Sequence, residues 1–114
     1  MAQTNQFDVV YLKEVVEFLD TLPAQARNKI VYNVGKVQRG FSSSELFKKL
    51  DNNSDLWEFR TLFDGIQYRL LAFWDTAENR IVVATHGFVK KTWKVPAKEI
   101  AKAKALRDKY YESK

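Results

Sequence analysis

A chain of 114 residues with 46% hydrophobic and 29% charged side chains has the balance of one folded domain, not of a disordered segment. No cysteine and a single histidine, His86, exclude disulfides, thiolate metal sites and multi-histidine metal centres. No run approaches the roughly 20 apolar residues of a membrane helix and no leader pattern opens the sequence, so a cytoplasmic protein without metal, other cofactor or membrane partner is expected.

Phe7 to Tyr11 is a short apolar, β-branched run that predicts an N-terminal strand. Leu12, Val15, Val16, Leu19 and Leu22 then form one helical stripe, closed by Pro23. Pro23 suits the first position of the next helix, whose stripe is Ala26, Ile30, Val34 and Val37 and whose stop is Gly40. The two helices make a hairpin that needs a sheet to cover its apolar side. Ser42 and Glu45 have capping-box spacing, which predicts one or two further helical turns over Ser43 to Leu50.

The period changes in the second half. LWEFRTLF (Leu56 to Phe63), IQYRLLAFW (Ile66 to Trp74) and RIVVATHGF (Arg80 to Phe88) are rich in aromatic and β-branched residues, as in an antiparallel meander. Pro96 opens a last helix with the stripe Ile100, Ala103, Leu106 and Tyr110. The predicted fold is α+β, in the order β-α-α-β-β-β-α, with the sheet packed on the helical hairpin.

Charge is unevenly spread. From Val89 to Lys114 nine basic residues meet three acidic ones, so this end carries +6 and the rest of the chain −1 of the net +5. Such asymmetry suits either a polyanionic partner or a solvated basic helix.

Asp64-Gly65 is a two-residue hairpin signal. If these are the turn, Phe63 faces Ile66 and Arg60 lies directly opposite Arg69 on one sheet face. Like charges so placed destabilise a ladder. Either Glu58, two residues along that face, neutralises one of them, or the two guanidinium groups form a clamp for phosphate. Trp57, Phe59, Phe63, Tyr68 and Leu70 then pack on the helices, while Glu58, Arg60 and Arg69 line a concave basic face rimmed by Leu62 and Leu71. Lys90, Lys91 and Lys94, interleaved with Thr92 and Trp93, suit either a nucleic-acid backbone with an exposed base or an ordinary loop with Trp93 in the core. His86, near a strand end, is either structural or catalytic.

The ordered segments LFKKL, LWEFR, YRLLAFW, IVVATHGFVKKTWKVP and AKEIAKAKALRDKYYE resemble the phage-derived Gp49-like/HigB branch of the RelE/ParE toxin superfamily. The similarity runs from about Tyr11 to Glu112. It rests on W-E-x-R, Y-R-[IL]-[LV] and H-G-F-x-K-K-x-x-K-x-P in that order.

The resemblance implies a microbial RNase-like fold with a curved antiparallel sheet. It also implies an endoribonuclease toxin that cuts mRNA, often on the ribosome, and is silenced by a cognate antitoxin, in HigB-like pairs a helix-turn-helix (HigA-like) protein. By position Arg69 matches the arginine that such enzymes place on the scissile phosphate, and Arg60 falls where further basic catalytic residues lie. Lys90 and Lys91 stand where an arginine often follows the last strand, and with Trp93, Lys94, Lys48 and Lys49 they are the RNA-binding candidates. The strand-following arginine, a late tyrosine and a second histidine of related toxins are missing, which leaves Glu58, a lysine or His86 as the general base. Two other readings stay open: a ParE-like gyrase inhibitor on the same fold, and an inactive member that only binds RNA or antitoxin.

Overall fold

A computed structural model describes residues 5–41, 43–51, 54–78 and 80–114. In chain order the elements are β1 (Asp8–Tyr11), α1 (Lys13–Asp20), α2 (Ala24–Gln38), β2 (Phe47–Lys49), β3 (Trp57–Phe63), β4 (Ile66–Trp74), β5 (Ile81–Val89) and α3 (Ala97–Glu112). The strands form one sheet in the order β1-β5-β4-β3-β2. Four of them are antiparallel, and β1 joins β5 in parallel at one edge, so the sheet is mixed.

The α+β architecture and the helical hairpin are as the apolar periods predict. Val15, Leu19, Ala26, Ile30 and Val34 pack on Phe59, Tyr68, Leu70 and Ala72. Val16 is an exception: it faces solvent, and the neighbouring Phe18 packs against this core instead. Pro23 sits at the cap of α2, one position before its first helical residue.

The helical turns expected over Ser43 to Leu50 are replaced by β2. A single turn does form, in which the Glu45 N–H donates to Ser43 Oγ at 3.1 Å. The chain then extends, because Phe47 stacks on Phe59 and Trp57 with ring centres 4.4 and 4.8 Å apart. Aromatic pairing with a strand already in the sheet outweighs the weak local preference for helix. The expected cap at Ser42 lies outside the described residues.

The second sheet face is divided. α3 covers Leu71, Phe73, Val83 and Phe88 with Ala103, Ile100 and Tyr110. Leu71 is therefore fully buried and not part of a rim, whereas Leu62 is exposed as expected. A β-bulge at Thr85 makes this possible. The pairing shifts from Leu71↔His86 to Ala72↔Ala84, so both halves of β5 keep apolar side chains on each face.

Gly87 in β5 faces α1. A Cβ there would lie 2.6 Å from Phe18 Cε2 and 2.8 Å from Leu70 Cδ2. Gly87→Ala should therefore cost roughly 2–3 kcal/mol through overpacking, read as a lowered urea midpoint with unchanged slope. An unchanged midpoint would mean that Phe18 repacks freely.

The far end of α3 is tied to the β4–β5 connection through Asp75. Its buried carboxylate accepts from Lys114 Nζ at 2.6 Å, the Tyr110 hydroxyl at 2.7 Å and the Ala77 N–H at 2.8 Å. The Lys114 and Tyr110 bonds hold this carboxyl well below the usual aspartate range. A depressed carboxylate adds stability above the ordinary value of about 4 and loses it as pH falls further. Asp75→Asn should accordingly flatten the acid limb of a stability–pH curve, and an acid limb identical to that of the parent would refute this assignment.

Candidate functional site

The β3–β4 hairpin builds the site. Asp64 and Gly65 both have positive φ, 52° and 76°, the pair a tight two-residue turn requires. That turn sets Phe63 against Ile66, and the register carries Arg60 directly opposite Arg69. The local sequence thus fixes the arginine pair.

Glu58 bridges the two guanidinium groups, with Oε1 3.4 Å from Arg60 Nε and Oε2 3.5 Å from Arg69 Nε. Of the two ways of neutralising the pair, the structure shows the internal one: the Glu58 carboxylate lies between the guanidinium groups. The ion pairs are close in charge but poor as hydrogen bonds. Glu58 Oε2, Arg60 Nε and Arg69 Nε are buried and make no hydrogen bond among the described residues. Arg69 is only 3% exposed, and its second nitrogen donates to the Tyr68 carbonyl at 3.0 Å. Burial lowers its proton affinity, as does Arg60, while Glu58 opposes both. Arg60 is more accessible and donates to the Ser44 carbonyl at 3.0 Å.

Lys48 and Lys90 stand around this centre. Lys48 in β2 lies opposite Glu58 in the ladder. Lys90 follows β5, anchored by its N–H on the Gln67 carbonyl at 2.8 Å. Its ammonium is held below the usual lysine range, first by burial and then by Arg69, Arg60 and Lys48, with Glu58 pulling the other way.

Two adjoining cavities share Lys90 and Trp93. One of about 340 Å³ also contains Glu58, Lys48, Lys49 and Lys94; the other, of about 480 Å³, contains Arg60, Arg69 and Lys91. Trp93 is 99% exposed, so it is not a core residue, and an indole in water beside a cationic groove is free to stack on a base. Lys49 lies on the opposite side of β2 from Lys48 and pairs with Asp55 at 3.4 Å.

His86 stands apart from these groups. It is 2% exposed, lines neither cavity, and engages Thr85 Oγ1 through Nδ1 and Glu99 Oε1 through Nε2, both at 3.1 Å. Burial lowers its pKa against the pull of Glu99. The geometry makes it a tie between β5 and α3, the structural one of its two readings, set away from the arginine pair. Sequence reasoning overlooked Lys29 and Lys36 of α2, which line a third cavity together with Arg60 and Arg69. Their separation by two helical turns, with Asn33 between, was the available signal.

The family described as phage derived protein Gp49-like matches residues 17–108. No curated protein sequence matches the chain. Among solved structures, an arginine double mutant of the E. coli toxin RelE in the free state is similar with a TM-score of 0.60 at 15% identity, covering 91% of this chain and 98% of that one. The archaeal RelE-RelB complex from Pyrococcus horikoshii OT3 is similar at a TM-score of 0.53 and 18% identity, covering 79% and 99%. The RelBE2 toxin-antitoxin complex from Mycobacterium tuberculosis is similar at 0.50 and 20%, covering 79% and 98%. The fold is RelE-like.

Proposed function

The chain belongs to the phage-derived Gp49-like family, and from that premise we propose that it is the toxin of a toxin–antitoxin pair, a metal-independent endoribonuclease that cuts mRNA, with the ribosome presenting the message. The observation that carries this reading is the opposed Arg60–Arg69 pair at the edge of a groove that also holds Lys48, Lys90 and the exposed Trp93. The two solved toxin–antitoxin complexes with this fold support a cognate antitoxin as partner. A helix-turn-helix (HigA-like) antitoxin is the type we propose.

RNA cleavage of this kind moves one proton off the ribose 2′-hydroxyl as its oxygen attacks phosphorus. The P–O5′ bond breaks as the leaving 5′-oxygen takes up a proton, giving a 2′,3′-cyclic phosphate and a 5′-hydroxyl. Arg60 and Arg69 stabilise the charge that develops on the phosphorane. Lys90, which lines both cavities of the groove and whose proton affinity is lowered by burial and by the neighbouring cations, is the proton acceptor in this reading. Glu58 neutralises the clamp until phosphate displaces it. Trp93 stacks a base, and Lys48, Lys91 and Lys94 hold the backbone.

The test is brief induction followed by growth measurement, transcript 5′-end mapping and DNA supercoiling assays. Arrest with new cuts inside translated messages is the expected result. Arrest with altered supercoiling and intact messages would replace the nuclease by a ParE-like gyrase inhibitor, and unimpeded growth by an inactive binder.

A further inference from the structure

The basic groove does not end at the arginine pair. Beside the β3–β4 hairpin, a cavity of about 450 Å³ is lined by Arg60 and Arg69, by Lys29 and Lys36 on α2, and by one carboxylate, Glu45. The two lysines flank Asn33, whose amide donates to Thr61 Oγ1 at 3.1 Å, so this stripe of α2 is fixed alongside the hairpin. Lys36 in turn enters a further cavity of about 350 Å³ with Arg39 and Phe41. Shared residues therefore connect the cavities end to end, from Arg39 through the arginine pair to Lys90 and Lys94.

The end at α2 repeats the chemistry of the end at Trp93. Tyr32 and Phe41 are 55% and 51% exposed, so each ring keeps about half of its surface in water. Lys36 Nζ lies 4.4 Å from the Phe41 ring centre, and Lys29 Nζ lies 5.4 Å from that of Tyr32. Cations spaced along a groove with exposed rings at intervals are what a single-stranded nucleic acid needs: phosphates meet charge, and bases find π-faces. An acidic protein segment would use the charges, but it has no need of a track that passes through the phosphate clamp.

We infer that the α2 face formed by Lys29, Tyr32, Lys36, Arg39 and Phe41 is a second single-stranded RNA subsite, continuous with the groove and on the opposite side of the arginine pair from Trp93. The inference rests on the RNA reading of the groove and deepens it: RNA is held on both sides of the phosphate to be cut. It follows that short strands occupy the groove alone, whereas longer ones also reach α2.

The experiment uses uncleavable 2′-O-methyl oligouridylates of about 4 and about 16 nucleotides, with affinity read by fluorescence anisotropy over a salt series. The Lys29→Ala/Lys36→Ala double variant should weaken the long strand about tenfold or more. It should also make the salt slope shallower by about 1.4, near 0.7 for each lost phosphate contact, and leave the short strand unaffected. Tyr32→Ala should weaken the long strand by about tenfold with the slope unchanged. These side chains are at the surface, so melting curves should match the parent.

Parental affinity and slope of the double variant for both lengths would overturn the α2 subsite alone, provided Arg69→Ala still weakens the short strand. Retained RNA binding with lost binding of polyglutamate would assign the face to an acidic protein partner and likewise overturn it. Failure of the parent to bind either strand would overturn the α2 subsite, and the RNA reading of the groove would then stand or fall on the transcript mapping.

Discussion

Arg69→Ala is expected to reduce RNA cleavage by a hundredfold or more in a protein that still folds. Removing one preorganised donor from a developing oxyanion costs about two to three orders of magnitude in rate. Arg69 is also the better placed of the two arginines. Burial removes it from bulk water, where its charge would be screened, and the hydrogen bond to the Tyr68 carbonyl holds its plane. Glu58 retains Arg60 as a partner after the substitution, so the variant should lose some stability without unfolding. Arg69→Lys should recover only part of the activity, since lysine restores the charge but not the planar fork. Cleavage of end-labelled message in a translating extract is the measurement, and undiminished cutting by folded Arg69→Ala would sink the nuclease mechanism.

Glu58→Gln is expected to act in the opposite direction on binding and to lower stability. The change keeps the shape and removes the one charge between two guanidinium groups that face each other across the ladder. Breaking a buried ion pair commonly costs roughly 3–5 kcal/mol. The separations here are long, 3.4 and 3.5 Å, and Arg60 is partly solvated, so a loss of about 2 kcal/mol is the fitting magnitude. Sulfate or phosphate should then raise the melting temperature of Glu58→Gln more than that of the parent, because an added anion replaces the missing carboxylate.

The same variant separates the two roles open to Glu58. If the carboxylate only occupies the clamp until phosphate displaces it, single-stranded RNA binds several-fold tighter in Glu58→Gln and cleavage persists, as expected with Lys90 as proton acceptor. Loss of cleavage together with tighter binding would instead make Glu58 the general base. A variant with no sulfate-dependent gain beyond that of the parent would mean that the arginine pair does not bind anions at all.

Much of the site was legible in consecutive residues. Asp64-Gly65 is a local signal: two adjacent residues able to take positive φ dictate a two-residue loop, and such a loop leaves one register for the strands it joins. The opposition of Arg60 and Arg69 follows without reference to the rest of the molecule. Alternation along WEFRTLF and QYRLLAFW likewise sets the sheet faces, and the periods of α1, α2 and α3 name nearly all the residues they bury.

What only the tertiary structure decided involves partners distant in the chain. Phe47 is in a strand because Phe59 and Trp57 offer it rings to stack on, although its own neighbours favour a turn. The bulge at Thr85 depends on which residues of β4 it meets, and the burial of His86 on Glu99 arriving from α3. Lys29 and Lys36 belong with the arginines only because α2 packs along β3, bringing together charges that the sequence keeps more than twenty residues apart. Turn chemistry and alternation act over a few bonds and are written in sequence. Edge pairing, helix docking and the meeting of charges are set by which apolar surfaces must be covered, and that is resolved only when the whole chain packs.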